Sequence, residues 1–133
     1  MKKYIFSGVL MILASPLVNA WPLVFIALTP ALTGFWRDSG LSANVAQPRR
    51  LWQVILGGYL VGLSYAASHF YWLIEFKPLW LLPVLAGFAL MPAMLGLAVW
   101  LAVGAGLRGF WLLLWTALSW TAIEVLASDL WLG

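Results

Sequence analysis

The 133-residue sequence contains no cysteine. That excludes disulfides, thiolate metal sites and a cysteine nucleophile within these residues. Charge is nearly as scarce, at 8% of residues, where a soluble domain carries roughly a quarter. So few charges cannot coat a core with a polar shell. A single histidine, His69, makes no metal cluster, so neither a metal nor another cofactor is expected. No glycine-rich phosphate loop is present. The pI is near 9.6, but seven basic residues scattered between apolar runs form no stripe, and no nucleic-acid partner is expected.

What fills the chain is apolar: 65% of residues are hydrophobic and the mean hydropathy is +1.00. Five stretches stand out, Tyr4 to Val18, Trp21 to Trp36, Leu51 to Ile74, Leu79 to Leu107 and Gly109 to Leu126. A helix needs about 20 apolar residues to cross a hydrocarbon core of roughly 30 Å. The third and fifth fit that length. Pro83 and Pro92 inside the fourth predict a late start, a kink or a tilt. The first two are short, each with a proline (Pro16 and Pro30), and suit a helical hairpin turned at Asn19 to Pro22. The expected fold is all-α, a multispanning transmembrane bundle of about five helices forming one domain over residues 1–133.

Placing the N-terminus in the cytoplasm and threading five crossings puts Lys2, Lys3, Arg37, Arg49, Arg50 and Arg108 inside and Lys77 alone outside. That bias obeys the positive-inside rule, which is most reliable for short loops. It sends the C-terminal end to the outer side of the membrane. Tyr4, Trp36, Trp52 and Trp111 fall near the inner ends, and Trp21, Tyr71, Trp72, Trp80 and Trp131 near the outer ends, as an interfacial aromatic belt would have it. Met1 to Ala20 also reads as a signal peptide, with Lys2-Lys3, an apolar run and a small-residue site at Val18-Asn19-Ala20. Cleavage there leaves the downstream topology unchanged.

Gly58, Gly62 and Ala66 recur at four-residue spacing, a small-residue pattern that lets another helix approach closely. Packing within the bundle is the simpler reading; homodimerisation is the other. Ala98, Ala102 and Gly106 repeat the pattern in the fourth stretch. His69 is 18 residues beyond Leu51 and thus about 27 Å along its helix, near the outer boundary. Glu124, 15 residues beyond Gly109, stands roughly 22 Å up the last helix. An acid at that depth is either a functional group or a pin between helices. His69, Glu124, Trp72 and Trp120 are therefore candidate helix-bridging or lipid-facing polar sites. A hydrolytic triad of a serine, His69 and Asp129 has only shared depth to support it, without a nucleophile elbow or an oxyanion motif. No catalytic residue is assigned.

Three segments together resemble the N-terminal membrane region of apolipoprotein N-acyltransferases. They are Ser15-Pro16 with Trp21-Pro22-Leu23 and Leu28 to Leu32, then Arg49-Arg50 leading into Gly57 to Leu73, and Trp120 to Glu124. The last is similar to a W-x-x-x-E motif that continues in the family to an arginine three residues on and a Gly-Phe-Pro-Trp segment. Here Ala127 stands where the arginine is expected, and Gly133 falls about where the second segment would begin. The resemblance implies a phospholipid-to-lipoprotein acyl transfer whose Glu-Lys-Cys triad lies in a nitrilase-like periplasmic domain. These residues would then be the membrane part of such an enzyme, truncated or split and not catalytic alone. Membrane phospholipid, a separately encoded nitrilase-like domain and an apolipoprotein would be the partners. The alternative is a small stand-alone membrane scaffold or assembly subunit.

Overall fold

A computed structural model describes residues 1–14, 24–38, 48–76 and 78–132. The expected turn at Asn19 to Pro22, the signal-peptide cleavage site and the Ser39 to Ala46 loop lie outside them. The described residues form an all-α bundle: α1 (Lys2–Ala14), α2 (Val24–Ala27), α3 (Thr29–Asp38), α4 (Pro48–Phe70), α5 (Leu73–Phe76), α6 (Pro78–Gly104) and α7 (Gly109–Leu132). Three helices are long and apolar enough to cross a membrane, over Leu51–Phe70, Leu79–Gly104 and Gly109–Asp129. Leu79, Leu82, Trp52 and Phe110 are each at least 70% exposed, an apolar surface that belongs in lipid.

The second apolar stretch is broken rather than continuous. Pro30 has no N–H to give the Ile26 carbonyl, so the bonding lapses at Leu28: α2 stops at Ala27 and α3 restarts at Thr29 with Pro30 in its first turn, where a proline is tolerated. A helix end in lipid needs partners for its carbonyls. The buried Ser7 hydroxyl of α1 supplies one, donating to the Ala27 carbonyl.

The third stretch also divides. Helix α4 ends at Phe70, a turn at Tyr71-Trp72 follows, and α5 begins at Leu73. Ile74 N–H donates to Tyr71 O at 3.1 Å and Glu75 N–H to Trp72 O at 3.2 Å, the tight bonding of a turn. An apolar run continues through such a turn without a signal. Helix α6 absorbs both of its prolines in one unbroken segment and ends three residues earlier than expected. Gly106, at φ 88°, closes it. Leu107 N–H reaches Ala102 O and Gly106 N–H reaches Val103 O, both at 3.0 Å, which is the Schellman pattern of a glycine-capped helix. Helix α7 runs past Leu126 to Leu132, with Ser128 folding its hydroxyl onto Val125 O at 2.8 Å.

The closest packing is α4 on α6, with α1 lying on α4 and α7 resting mainly on α6. A Cβ added to Gly58 would come within 2.5 Å of Pro92 O, and one on Gly62 within 2.7 Å of Ala89 Cα. With the fully buried Ala66, these glycines form the stripe along which the two helices meet. On α6, however, the small residues facing α4 are Ala89, Ala93 and Gly96. Of Ala98, Ala102 and Gly106, which repeat the spacing in the sequence, Gly106 is a helix cap with nothing within 4 Å of where its Cβ would be. Val61, which a helical wheel with Gly62 as the contact face turns toward lipid, is 1% exposed, because α4 is covered on more than one side.

Tyr4 departs from the interfacial belt too. It is 1% exposed, and its ring occupies the space where Cβ atoms on Gly34 and Gly57 would lie, within 2.9 and 2.5 Å. Phe35 flanks it with ring centroids 5.5 Å apart. Those two glycines exist to admit an aromatic ring between α3 and α4. Trp52, Trp111 and Trp80 remain exposed, as residues of a lipid boundary would.

Candidate functional site

Because α7 leans chiefly on α6, a gap remains on its other side. It forms a cavity of about 280 Å³. Val61 and Tyr65 of α4, one turn apart, make one wall, and Phe88, Met91 and Pro92 of α6 another. Trp120 and Glu124, also one turn apart, enter from α7, while Met11 of α1 and Leu28 complete the lining. Nearly all of this surface is apolar or aromatic. Glu124 is its one acidic group.

Glu124 is exposed and makes no hydrogen bond or ion pair among the described residues. Trp120 is half-buried beside it. The W-x-x-x-E spacing therefore has a structural meaning: four residues put both side chains on one helix face, here the face that meets the cavity.

His69 is placed elsewhere. Its Nδ1 lies 3.2 Å from Tyr65 O, a geometry in which the ring N–H donates to its own helix, and 3.5 Å from Ser68 Oγ. The imidazole packs on the Tyr65 ring with centroids 4.1 Å apart. His69 is not among the residues lining the cavity, whereas Tyr65 is. Trp72, in the turn after α4, is about half exposed and is not among the lining residues. Of the four polar candidates, the fold thus brings Trp120 and Glu124 together and leaves His69 and Trp72 at the end of α4. Asp129 lies one further turn along α7, exposed, and no hydrogen bond joins it to His69 among the described residues.

Tyr65, Phe88 and Met91 carry no charge or motif to single them out in the sequence. Their signal is positional, since Tyr65 sits one turn before His69 and Phe88 one turn before Pro92. A separate polar contact ties α7 to α6 at a lower level: Trp115 Nε1 donates to Ala98 O at 3.1 Å.

Residues 7–133 match the family model described as the apolipoprotein N-acyltransferase N-terminal domain. No curated protein and no solved structure matches the chain.

Proposed function

Because the chain belongs to the apolipoprotein N-acyltransferase N-terminal domain family, we propose that these residues are the membrane platform of an acyl transfer that matures lipoproteins, and supply no nucleophile to it. The match across residues 7–133 carries this reading, and the three membrane-capable helices suit it. The bundle holds a phospholipid donor in the bacterial inner membrane, with its N-terminus in the cytoplasm and the end of α7 on the periplasmic side. A nitrilase-like domain working beside it supplies the chemistry, and an apolipoprotein is the acceptor.

The division of labour follows from chemistry. Covalent transfer between two substrates needs an activated nucleophile that holds the group in between. A thiol is absent from the 133 residues, and the one histidine bonds its own helix. What helices can contribute is position, which lowers a barrier by several kcal/mol when two reactants are held in register, about 7–11 at the upper end.

The test is complementation of a strain depleted of its own acyltransferase, read by mass spectrometry of a lipoprotein N-terminus. The 133 residues alone should give no triacylated product, and co-expression with a nitrilase-like periplasmic domain should restore it. Triacylation by the 133 residues alone would overturn the platform reading. Failure of the co-expressed pair would favour a scaffold or assembly subunit.

A further inference from the structure

We propose that the ends of α1, α3 and α4 that meet beside Tyr4 bind the head group of an anionic phospholipid. The inference rests on neither acyl transfer nor orientation in the membrane. Its site is also apart from the cavity: Tyr65 stands 15 residues beyond Arg50 on α4, about 22 Å along the helix.

Three observations carry it. First, the fold gathers cations that the sequence keeps apart. The Tyr4 ring lies where Cβ atoms on Gly34 of α3 and Gly57 of α4 would be. Lys3 immediately precedes Tyr4, Arg37 stands one turn past Gly34, and Arg50 stands two turns before Gly57. Three helices thus each bring a basic residue to one end of the bundle, with Lys2 and Arg49 next in sequence. Second, these charges lack counter-charges. Lys2, Lys3 and Arg37 make no ion pair among the described residues, and Asp38 is the one acid in residues 1–74. Helices α1 and α4 also begin here with no acid in the first turn, so the positive poles of their dipoles add to the cations instead of offsetting them. Like charges so gathered repel, and an anion among them relieves the repulsion.

Third, the surroundings suit a lipid better than a free anion. Ile5 and Phe6 of α1 and Trp52 and Leu56 of α4 are exposed, which puts apolar surface for acyl chains beside the cations. An indole at such a boundary has an N–H to give a head-group oxygen. Net negative charge is what the cluster selects, because a zwitterionic head group brings a further cation with its phosphate.

The probe is phosphatidylglycerol, titrated into the purified chain in dodecyl maltoside, where no bilayer imposes an orientation. Phosphatidylcholine with the same acyl chains is the comparison, and native mass spectrometry counts the bound lipid. Phosphatidylglycerol should bind at least about fivefold more tightly, the effect of one cation at roughly 1 kcal/mol beside anionic lipid. Lys2→Gln combined with Arg37→Gln should weaken it about 25-fold, fivefold for each cation. Both side chains are exposed, so the variant's helicity by circular dichroism should equal the parent's. Lys77→Gln removes a charge that the threading places at the other end of the bundle, and should change affinity less than about twofold, since a distant charge is screened. A diazirine near the glycerol of the lipid should cross-link to peptides holding Ile5, Phe6 and Trp52.

Equal binding of the two lipids, an unaffected double variant, or a fivefold loss in Lys77→Gln would overturn the proposal. So would cross-links confined to exposed positions such as Leu79 and Leu82. Millimolar glycerophosphoglycerol, the same head group without its chains, should not displace the lipid. Displacement would make this a site for free anions and overturn its assignment to a phospholipid.

Discussion

At Gly62 the absence of a side chain sets the distance between two helices. A Cβ there would stand 2.7 Å from Ala89 Cα and 3.0 Å from the Pro92 ring, and backbone cannot swing aside as a flexible side chain can. Gly62→Leu should therefore push α4 from α6 and destabilise the bundle by about 1–3 kcal/mol or more, measured by titration with a denaturing detergent. The proper control is Leu56→Val on the same helix, where the side chain is 48% exposed; a substitution at Val61 would itself disturb the core. Equal losses from both would refute the stripe. Ser7 offers a second residue-scale test. Ser7→Ala leaves the Ala27 carbonyl at the end of α2 without its hydroxyl donor, at a cost of about 1 kcal/mol. Neither the Tyr4 slot nor the Ser7 cap was legible in the sequence. Each depends on which turn of α1 lies against α3 or α2, and spacing within one helix says nothing about register between two.

Elements were easier to read than their ends. Hydrophobic length identified the three long helices, because lipid thickness imposes it directly. The ends follow local bonding instead: Pro30 splits one stretch, the turn at Tyr71-Trp72 another, and the Gly106 cap stops a third, all inside apolar runs that continue past them. The spacing of Gly58, Gly62 and Ala66 on α4 was legible in the sequence, but the residues of α6 that meet it, Ala89 and Ala93, were not, since several alanines there share the spacing. The candidate site was half legible. Glu124 and Trp120 stood out by charge and spacing, whereas the walls opposite are ordinary apolar residues that only the fold brings near. Helix α7 has the least support from its neighbours, resting mainly on α6, so the bond from Trp115 to Ala98 O should matter at this scale. Trp115→Phe keeps most of the ring and removes the donor. It should destabilise α7 against α6 by about 0.6–2 kcal/mol, seen as faster hydrogen exchange in α7 with α4 unchanged. Equal acceleration in both helices would mean the bond supports the whole bundle instead.

Orientation in the membrane is a property of the whole molecule, set by charges that hardly contribute to packing. Six basic residues lie on one side of the threading and Lys77 on the other. Each charge carried across the membrane interior is costly, and the positive-inside rule predicts that the six lie in the cytoplasm. The absence of cysteine makes this directly measurable, because any introduced thiol is unique. The two ends of α6 give the cleanest pair: Glu75→Cys lies just before it and Ala105→Cys just after it, both at exposed positions. Neither alters a basic residue, so the orienting charges stay intact. A membrane-impermeant maleimide added to spheroplasts should label Glu75→Cys and spare Ala105→Cys until the membrane is permeabilised. An alkaline phosphatase fused after Gly133 should be active, and one inserted between Ser39 and Ala46 inactive. The reverse pattern would invert the bundle. It would also turn the end of α7 away from the side on which the proposed nitrilase-like domain would work, so the platform reading would fall with it.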